Sequence, residues 1–587
     1  MKRALVSYLK YPTRLPADYA IQFSNPGIVI AIVRVLHDMG YEVDVIDYTD
    51  VAFHTDARYD LFICPRGVNW EYLSRNVVGG AAKVFFACTL YWKEHNRAEL
   101  KRFADLELRR GTRLPADRLL SSDEFALHDA DGIICLGNED AVRTFSGFPV
   151  CLPINNGAYP DPSVNLRAKD FESGKKHFLF YGSAGSIHKG LDLLLEAFLE
   201  LDAELYWVGQ MEPHLLDLYK SEIESHPNIH LVGWVTLRSS SFYEIMRRCN
   251  CVILPSCAEG QVGGVVECMN QGLIPIVSRA SVLDVKDFGL VLEECSIREI
   301  RDTVKMIVEQ SASWHRERAV RALAEARTAH SPETFDRTLR SHLESIVAGI
   351  PRHREGKRTE AQAAGENPSA YLESHHEDLG SLLRASSWLV DQARLADARP
   401  LLQRVLELEP ECVTAICLLA DVERQQGNNG VSEELLRQAV AFSPDDRSLH
   451  QSPEPAVTND VRLSAGDSDL ALAHSCMMNR AYEEARAELS RLINTGVRDV
   501  ACLSLLGEAR YLNGEHESGI EAMRKAAELP GGELALRNLG WMLLQHGEYA
   551  EALSVYTQLL VATPYDNEIL VNMTYILQKL NLLGSGN

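Results

Sequence analysis

The stretch Cys251 to Ser278, CVILPSCAEGQVGGVVECMNQGLIPIVS, constrains the first 350 residues more than any other. It reads as strand, loop, helix, strand. Val252-Ile253-Leu254 is an apolar strand, Pro255 to Val262 a turn-rich loop, and Gly263-Gly264 opens a helix that runs to about Gln271. Gly272 suits the left-handed position just past a helix end, and Ile274-Pro275-Ile276-Val277 starts the next strand. A glycine-rich turn feeding a helix presents unpaired backbone N–H groups and the positive end of a dipole, which favours a phosphate. Glu259 on the loop and Glu267 on the helix stand eight residues apart, one acid on each side of that position. An ordinary βαβ turn with two solvated acids would carry the same residues.

The stretch resembles the E-x7-E segment of retaining glycosyltransferases with two Rossmann-like domains, the GT-B fold, and of family 4 in particular. Pro255-Ser256, Glu259-Gly260, Glu267, Met269, Gly272 and Pro275 fall in register with that family's pattern. Val262 departs from it, standing where the family has glycine, and glycines follow at 263 and 264. The resemblance implies that Glu267 holds the ribose of a nucleotide-sugar donor. Glu259 would face the donor sugar or the positive charge developing at its anomeric carbon, and the N–H groups near Gly263 and Gly264 would face the diphosphate.

Strand and helix alternate on either side of this stretch, the pattern of a parallel doubly wound sheet. Residues 3–8, Glu42 to Asp47, Leu61 to Cys64 and Lys83 to Cys88 are strands, and Gly27 to Asp38 a helix behind an Asn25-Pro26 start. Ligands of such sheets bind at the C-terminal strand ends, which nominates the loops Leu9–Asn25, Pro65–Trp70 and Thr89–His95. His95 matches the donor-site histidine that often follows this strand in the family. It reads equally as a solvated histidine at a helix start. Arg97 to Arg110 reads as a charged, solvated helix. Asp129-Ala130-Asp131 has the D-x-D form of a metal motif but directly precedes the apolar Gly132-Ile133-Ile134-Cys135, so it is read as a polar approach to a strand.

Pro153-Ile154-Asn155-Asn156-Gly157 resembles the segment where family-4 chains pass between their two domains. The second domain opens with the strand His177 to Tyr181, the loop Gly182-Ser183-Ala184-Gly185-Ser186-Ile187-His188-Lys189-Gly190, and a helix from Leu191 to Glu200. Lys189-Gly190, Leu194-Leu195 and Ala197-Phe198 match the family, which implies that Lys189 clamps the leaving diphosphate beside Gly182 and Ser183. The family's arginine is missing, with Ser183 in its place. His188 is the nearest candidate to substitute for it. The helix Thr334 to Val347 is expected to cross back to the first domain.

From 379 onward the chain repeats. Ala398, Ser432, Ala485, Gly519 and Ala552 hold one small-residue position at spacings of 34 or 33, apart from one insertion. Gly427, Gly514 and Gly547 mark turns between paired helices, and Pro410, Pro444 and Pro564 end second helices. The pattern is similar to tetratricopeptide repeats, whose stacked helix pairs form a concave surface for peptides or proteins.

The expected fold is therefore α/β plus all-α. Residues 1–157 form an N-terminal Rossmann-like acceptor domain and 158–348 a C-terminal Rossmann-like nucleotide-sugar domain. A flexible linker at 349–370 leads to five tetratricopeptide repeats in 371–587, with an insert at 447–465 and a capping helix over Ile569–Leu580. A net charge of −23 argues against nucleic acid and anionic lipid as partners. The 13 cysteines form no C-x-x-C pair, and with no signal-like or membrane-spanning run the expected setting is a reducing cytoplasm. The functional expectation is a retaining glycosyltransferase using a nucleotide-sugar donor, with no metal or other cofactor and a protein or peptide acceptor docked by the repeats. The alternatives are a transferase-like adaptor that has lost activity and an epimerase of the same fold.

Overall fold

The computed structural model describes residues 2–10, 25–48, 53, 55, 57–65, 70, 73, 74, 77, 78, 80–148, 150–210, 212–235, 237–442, 482–494, 500–529, 532–562, 569, 572, 573, 576, 577, 579 and 580. Most of the expected site loops Leu9–Asn25 and Pro65–Trp70 falls outside these residues. So do the insert 447–465, the first helix of the third repeat and five of the twelve residues of the capping segment 569–580.

Among the described residues the strands form two parallel sheets of six. The first contains β1 Lys2–Tyr8, β2 Tyr41–Asp47, β3 Leu61–Cys64, β4 Ala82–Ala87, β5 Gly132–Leu136 and β6 Cys151–Ile154, in the order β2-β1-β3-β4-β5-β6. The second contains β7 His177–Tyr181, β8 Glu204–Val208, β9 Ile229–Gly233, β10 Cys251–Leu254, β11 Ile274–Ser278 and β12 Leu290–Leu292, in the order β12-β11-β10-β7-β8-β9. Central strands such as β5 (GIICL) and β10 (CVIL) are buried along their whole length, because helices cover both faces of a parallel sheet. The order reverses between β7 and β10, where Cys251 pairs with Phe178 and Val252 with Leu179. Ligands of such sheets bind beside the strand ends at this reversal, and here the loops leaving β7 and β10 meet, with the Cys257 N–H donating to the His188 carbonyl at 2.9 Å. Two Rossmann-like domains in series make the GT-B arrangement.

Two long helices tie the domains together. Pro332–Glu366 returns to the first domain and buries Phe335, Leu339, Leu343 and Ile346 in its core. The Trp92–Arg110 helix corrects an expectation. Instead of lying in solvent, it buries Phe103 and Leu106 in the core of the second domain. Its charges meet partners there: Arg109 bonds Asp192 and Glu196, and Arg110 bonds Glu222 and the Leu218 carbonyl. The polar composition of this helix suggests solvation because the complementary charges lie 83 to 112 residues away in the chain.

The 349–370 segment is also different from expectation. It is helical as far as Glu366, and a short helix Pro368–Ser374 follows. The segment is rich in Arg, Lys, Glu, Gln and Ala, which favour helix without any apolar period. Ala364 is buried with Tyr371, Leu382 and Leu383 of the first repeat.

The helix pairs Leu379–Asp391 with Leu395–Leu408, Val413–Gln425 with Asn429–Phe442, Val500–Leu512 with His516–Ala527, and Glu533–His546 with Tyr549–Ala562 follow the repeat period, and Tyr482–Asn494 stands at the second-helix position of the interrupted one. Ala398, Ser432, Ala485, Gly519 and Ala552 are all buried between helices. Gly427, Gly514 and Gly547 have φ of +85°, +89° and +84° at the turns. The first repeat rests on the first domain. Phe125 packs against its core, Gly380 abuts the His128 ring, and Lys93 pairs with both Glu124 and Glu409. A cavity of about 930 Å³ opens between them, lined by Lys93, Glu124, His128, Phe148, His375 and Asp378 among others. Asp129-Ala130-Asp131 is structural: Asp129 binds Lys83, Ser74 and Trp70, and Asp131 accepts the Lys83 N–H.

Candidate functional site

The candidate site at the carboxyl ends of β7 and β10 is built from the loops 182–190 and 255–262. The first leaves β7 at Gly182, where a Cβ would lie 3.0 Å from the Lys189 side chain, and turns back through Gly185 and Gly190 at φ of +82° and +80°. Lys189 is buried. Its Nζ donates to the Ala184 carbonyl at 3.1 Å and lies 3.3 Å from Glu259 Oε1. Burial lowers the Lys189 pKa, and Glu259 pulls it partly back. Glu259 also accepts from Ser256 Oγ at 2.9 Å. Burial would raise its pKa, but Lys189, His188 and Arg118 outweigh that and hold the carboxyl at about 2. Glu259 is therefore a carboxylate at any ordinary pH.

The second loop is pinned from the first domain. Gly260 sits against the Cys88 carbonyl, which leaves no room for a Cβ. Gln261 accepts from the Asn156 N–H at 2.6 Å and donates to Asn155 Oδ1 at 2.9 Å, and its own N–H donates to the Leu136 carbonyl. The Asn155-Asn156-Gly157 passage between domains thus fixes the loop that carries Glu259.

Behind the Lys189–Glu259 pair lies a buried polar cluster. His188 has both ring nitrogens engaged, by Glu99 of the first domain and by the Ala258 carbonyl. It is fully buried and is not available to replace the missing arginine. His95 stacks on it with ring centroids 5.0 Å apart. His95 Nε2 meets the Arg118 carbonyl at 2.8 Å and Nδ1 meets Thr89 Oγ1 at 3.0 Å. The carbonyl can only accept, so Nε2 carries the proton. Burial, reinforced by His188, lowers the His95 pKa to about 4, so the ring is neutral at pH 7. The solvated reading of His95 is thereby corrected, since only 2 % of the residue is exposed. Glu99, His188 and Cys257 offer three ligand atoms within 4.8 Å of one another, types that suit a borderline divalent cation. The His188–Glu99 hydrogen bond satisfies two of the three.

Gly263–Asn270 is the helix that follows the second loop, with Gly264 against the Tyr181 ring. Glu267 lies on its second turn and is 6 % exposed. Gly272 takes the left-handed conformation at φ +76°. The structure joins Lys189 and Glu259 directly and brings His95 to them through His188 and Arg118. Gly182 lines Lys189, and Ser183 is exposed at the loop tip. Sequence reasoning missed Glu99, Arg118, Asn155, Asn156 and Gln261 as site residues. The Asn155-Asn156 pair carried a signal, lying in the interdomain segment; nothing local marks the others.

Residues 175–310, which hold both loops, match the family model for glycosyl transferases group 1. Residues 385–447 and 530–567 match the tetratricopeptide repeat model. Comparison with curated proteins gives no match. Similar solved structures include TarM, at 14 % identity and TM-score 0.37 over 49 % of this chain and 54 % of that one. Sucrose-phosphate synthase from Thermosynechococcus elongatus is similar at 14 % identity and TM-score 0.43, covering 60 % and 100 %. Anabaena HepE in complex with UDP and glucose is similar at 15 % identity and TM-score 0.38, covering 59 % and 100 %. The chain spans about half the length of TarM. Among the described residues no helix is long and apolar enough to cross a membrane.

Proposed function

We propose that the chain is a retaining glycosyltransferase that moves a sugar from a nucleotide-sugar donor to an acceptor, with the donor at the carboxyl ends of β7 and β10. The observation that carries this reading is the buried Lys189–Glu259 pair at 3.3 Å, which joins the two loops that leave the sheet at the strand-order reversal. A lysine desolvated beside one carboxylate is ready to exchange that partner for a more strongly charged diphosphate. As the glycosidic bond breaks, negative charge grows on the leaving diphosphate, and Lys189 with the N–H groups near Gly263 and Gly264 stabilises it. Glu259, released from Lys189, faces the sugar as an ionised carboxylate. Glu267 holds the ribose, and neutral His95 supports the site from behind, stacked on His188 and bonded to the Arg118 carbonyl. No metal is required by this scheme. The tetratricopeptide repeats present a protein or peptide acceptor.

The test is incubation with a panel of nucleotide sugars, following slow release of free nucleoside diphosphate, with and without a chelator. Release from one donor, insensitive to chelation, is the expected result. Silence across the panel would favour the adaptor reading, to which the exposed Ser183 lends support. Lys189→Ala should lower kcat more than it raises KM, since its partner's charge grows in the transition state. Glu267→Ala should instead raise the donor KM.

A further inference from the structure

The loop 182–190 lacks the arginine of the resembling family, yet a guanidinium lies against it. Arg118 comes from the first domain. Its Nη1 donates to the Ala184 carbonyl at 3.1 Å, the same oxygen that accepts Lys189 Nζ at 3.1 Å. Its aliphatic stem lies over Gly185, a position whose φ of +82° and lack of space both exclude a larger residue. Arg118 Nε is buried and finds no acceptor among the described residues.

The arginine is not placed there by chance packing of a long side chain. Its backbone N–H donates to Glu99 Oε1 at 3.2 Å, and its carbonyl accepts from His95 Nε2. Both of those residues belong to the buried cluster that crosses the domain interface. Two cations that share one carbonyl oxygen repel each other, and Arg118 accordingly depresses the Lys189 pKa. Glu259 offsets part of that repulsion. A ligand with two adjacent negative groups would satisfy both cations at once, and guanidinium suits phosphate because its planar N–H fork matches two oxygens.

We propose that Arg118, reaching across the domain interface, supplies the second cation of the diphosphate site in place of the arginine that Ser183 replaces. The site is then complete only while the two domains are together. This rests on the nucleotide-sugar reading above.

The experiment titrates the full chain with UDP, GDP and ADP and with the matching nucleosides, by calorimetry. The chain should bind one diphosphate more tightly than its nucleoside. Arg118→Gln should weaken that diphosphate about 10- to 100-fold, the range for a lost charge-assisted hydrogen bond, and leave the nucleoside affinity unchanged. Arg118→Lys should recover part of the loss. The decisive variant is Ser183→Arg in the Arg118→Gln background, which should restore diphosphate affinity by returning the cation from the loop itself. A merely structural anchor at Ala184 would not be rescued that way. Undiminished diphosphate binding by Arg118→Gln overturns the inference and leaves the proposed function standing. So does an equal loss for diphosphate and nucleoside, or a rescue that fails while the double variant melts like the parent. If no diphosphate binds the unaltered chain, both the inference and the proposed function fall.

Discussion

One helix, Trp92–Arg110, makes two junctions of opposite character at its two ends. Its later turns enter the second domain, where Phe103 and Leu106 are buried with the apolar core and Glu99 and Asp192 carry fully buried carboxylates. Its first turn meets the repeats through Lys93, which bridges Glu124 and Glu409 at the edge of the 930 Å³ cavity. There the side chains of Lys93 and Glu409 keep 29 % and 18 % of their exposure. The first junction resembles a protein interior, and the second resembles a surface contact between modules. Charges at the first are desolvated and must be matched, so each one is costly to orphan. Charges at the second retain water, which discounts their attraction. The two Rossmann-like domains should therefore unfold as one cooperative unit, with the repeats as an attached module.

The largest expected effect tests the first junction. Asp192 is fully buried beside Arg102 and Arg109, and burial raises its pKa against the pull of those arginines. Asp192→Ala leaves the nearly buried Arg102 without its counter-charge. Removing one partner of a buried pair costs about 3–5 kcal/mol. Chemical denaturation should show that loss in a single transition reported by probes in both domains. A transition that splits, with only the second-domain probe shifted, would break the comparison, because the domains would then be energetically separate.

The site and the fold were unequally legible in the sequence, and the same junction explains why. Lys189, Glu259 and Glu267 are carried by short motifs, since a loop and the helix it feeds are contiguous in the chain. The buried small residues of the repeats were legible for a similar reason, because a 34-residue period repeats its own evidence. Arg118 is different. It belongs to an irregular segment, and its partner Ala184 is 66 residues away. Glu99 lies in a helix whose pattern of charges is that of a solvated surface, and only the facing domain reveals its 89-residue partnership with His188. The 349–370 helix leaves no apolar period in the sequence, because intrinsic propensity suffices for helix there.

An acid titration ranks next. His95 binds its proton less readily in the folded chain, at about 4, than in the unfolded chain, near 6.5. The stability this represents is present above pH 6.5 and is lost as pH falls toward 4. His315 behaves alike for the same reason, burial, and is also lowered to about 4. Each contributes at most about 3 kcal/mol over that window. Glu259 acts lower, between about 4.5 and 2, where protonation dissolves its pairing with Lys189. Denaturation midpoints measured from pH 7 to 4 should fall steeply, and His95→Gln should flatten the slope. An unchanged slope would mean that His95 is hydrated in solution, and the first junction would then be less interior-like than its burial implies.

The smallest effect belongs to the second junction. Lys93→Ala removes the bridge to Glu409 but leaves Glu124 with its other partners, Tyr91 and His128. An ion pair that keeps this much water contributes about 1 kcal/mol or less. High salt should erase even that difference, because screening acts on exposed charges first. Deleting residues 371–587 removes the whole junction, yet Phe335, Leu339, Leu343 and Ile346 remain to hold the returning helix on the first domain. The shortened chain should still melt cooperatively, with donor hydrolysis retained, because the contacts of Lys189, Glu259 and Arg118 named above are all made within the two Rossmann-like domains. If Lys93→Ala instead cost several kcal/mol, or if the shortened chain failed to fold, the repeats would be part of the same cooperative unit. The two ends of that helix would then differ in exposure without differing in consequence. A shortened chain that folds and hydrolyses donor but no longer glycosylates its acceptor would sharpen the contrast. It would mean that the wet junction holds the repeats for recognition, while the dry junction holds the site together.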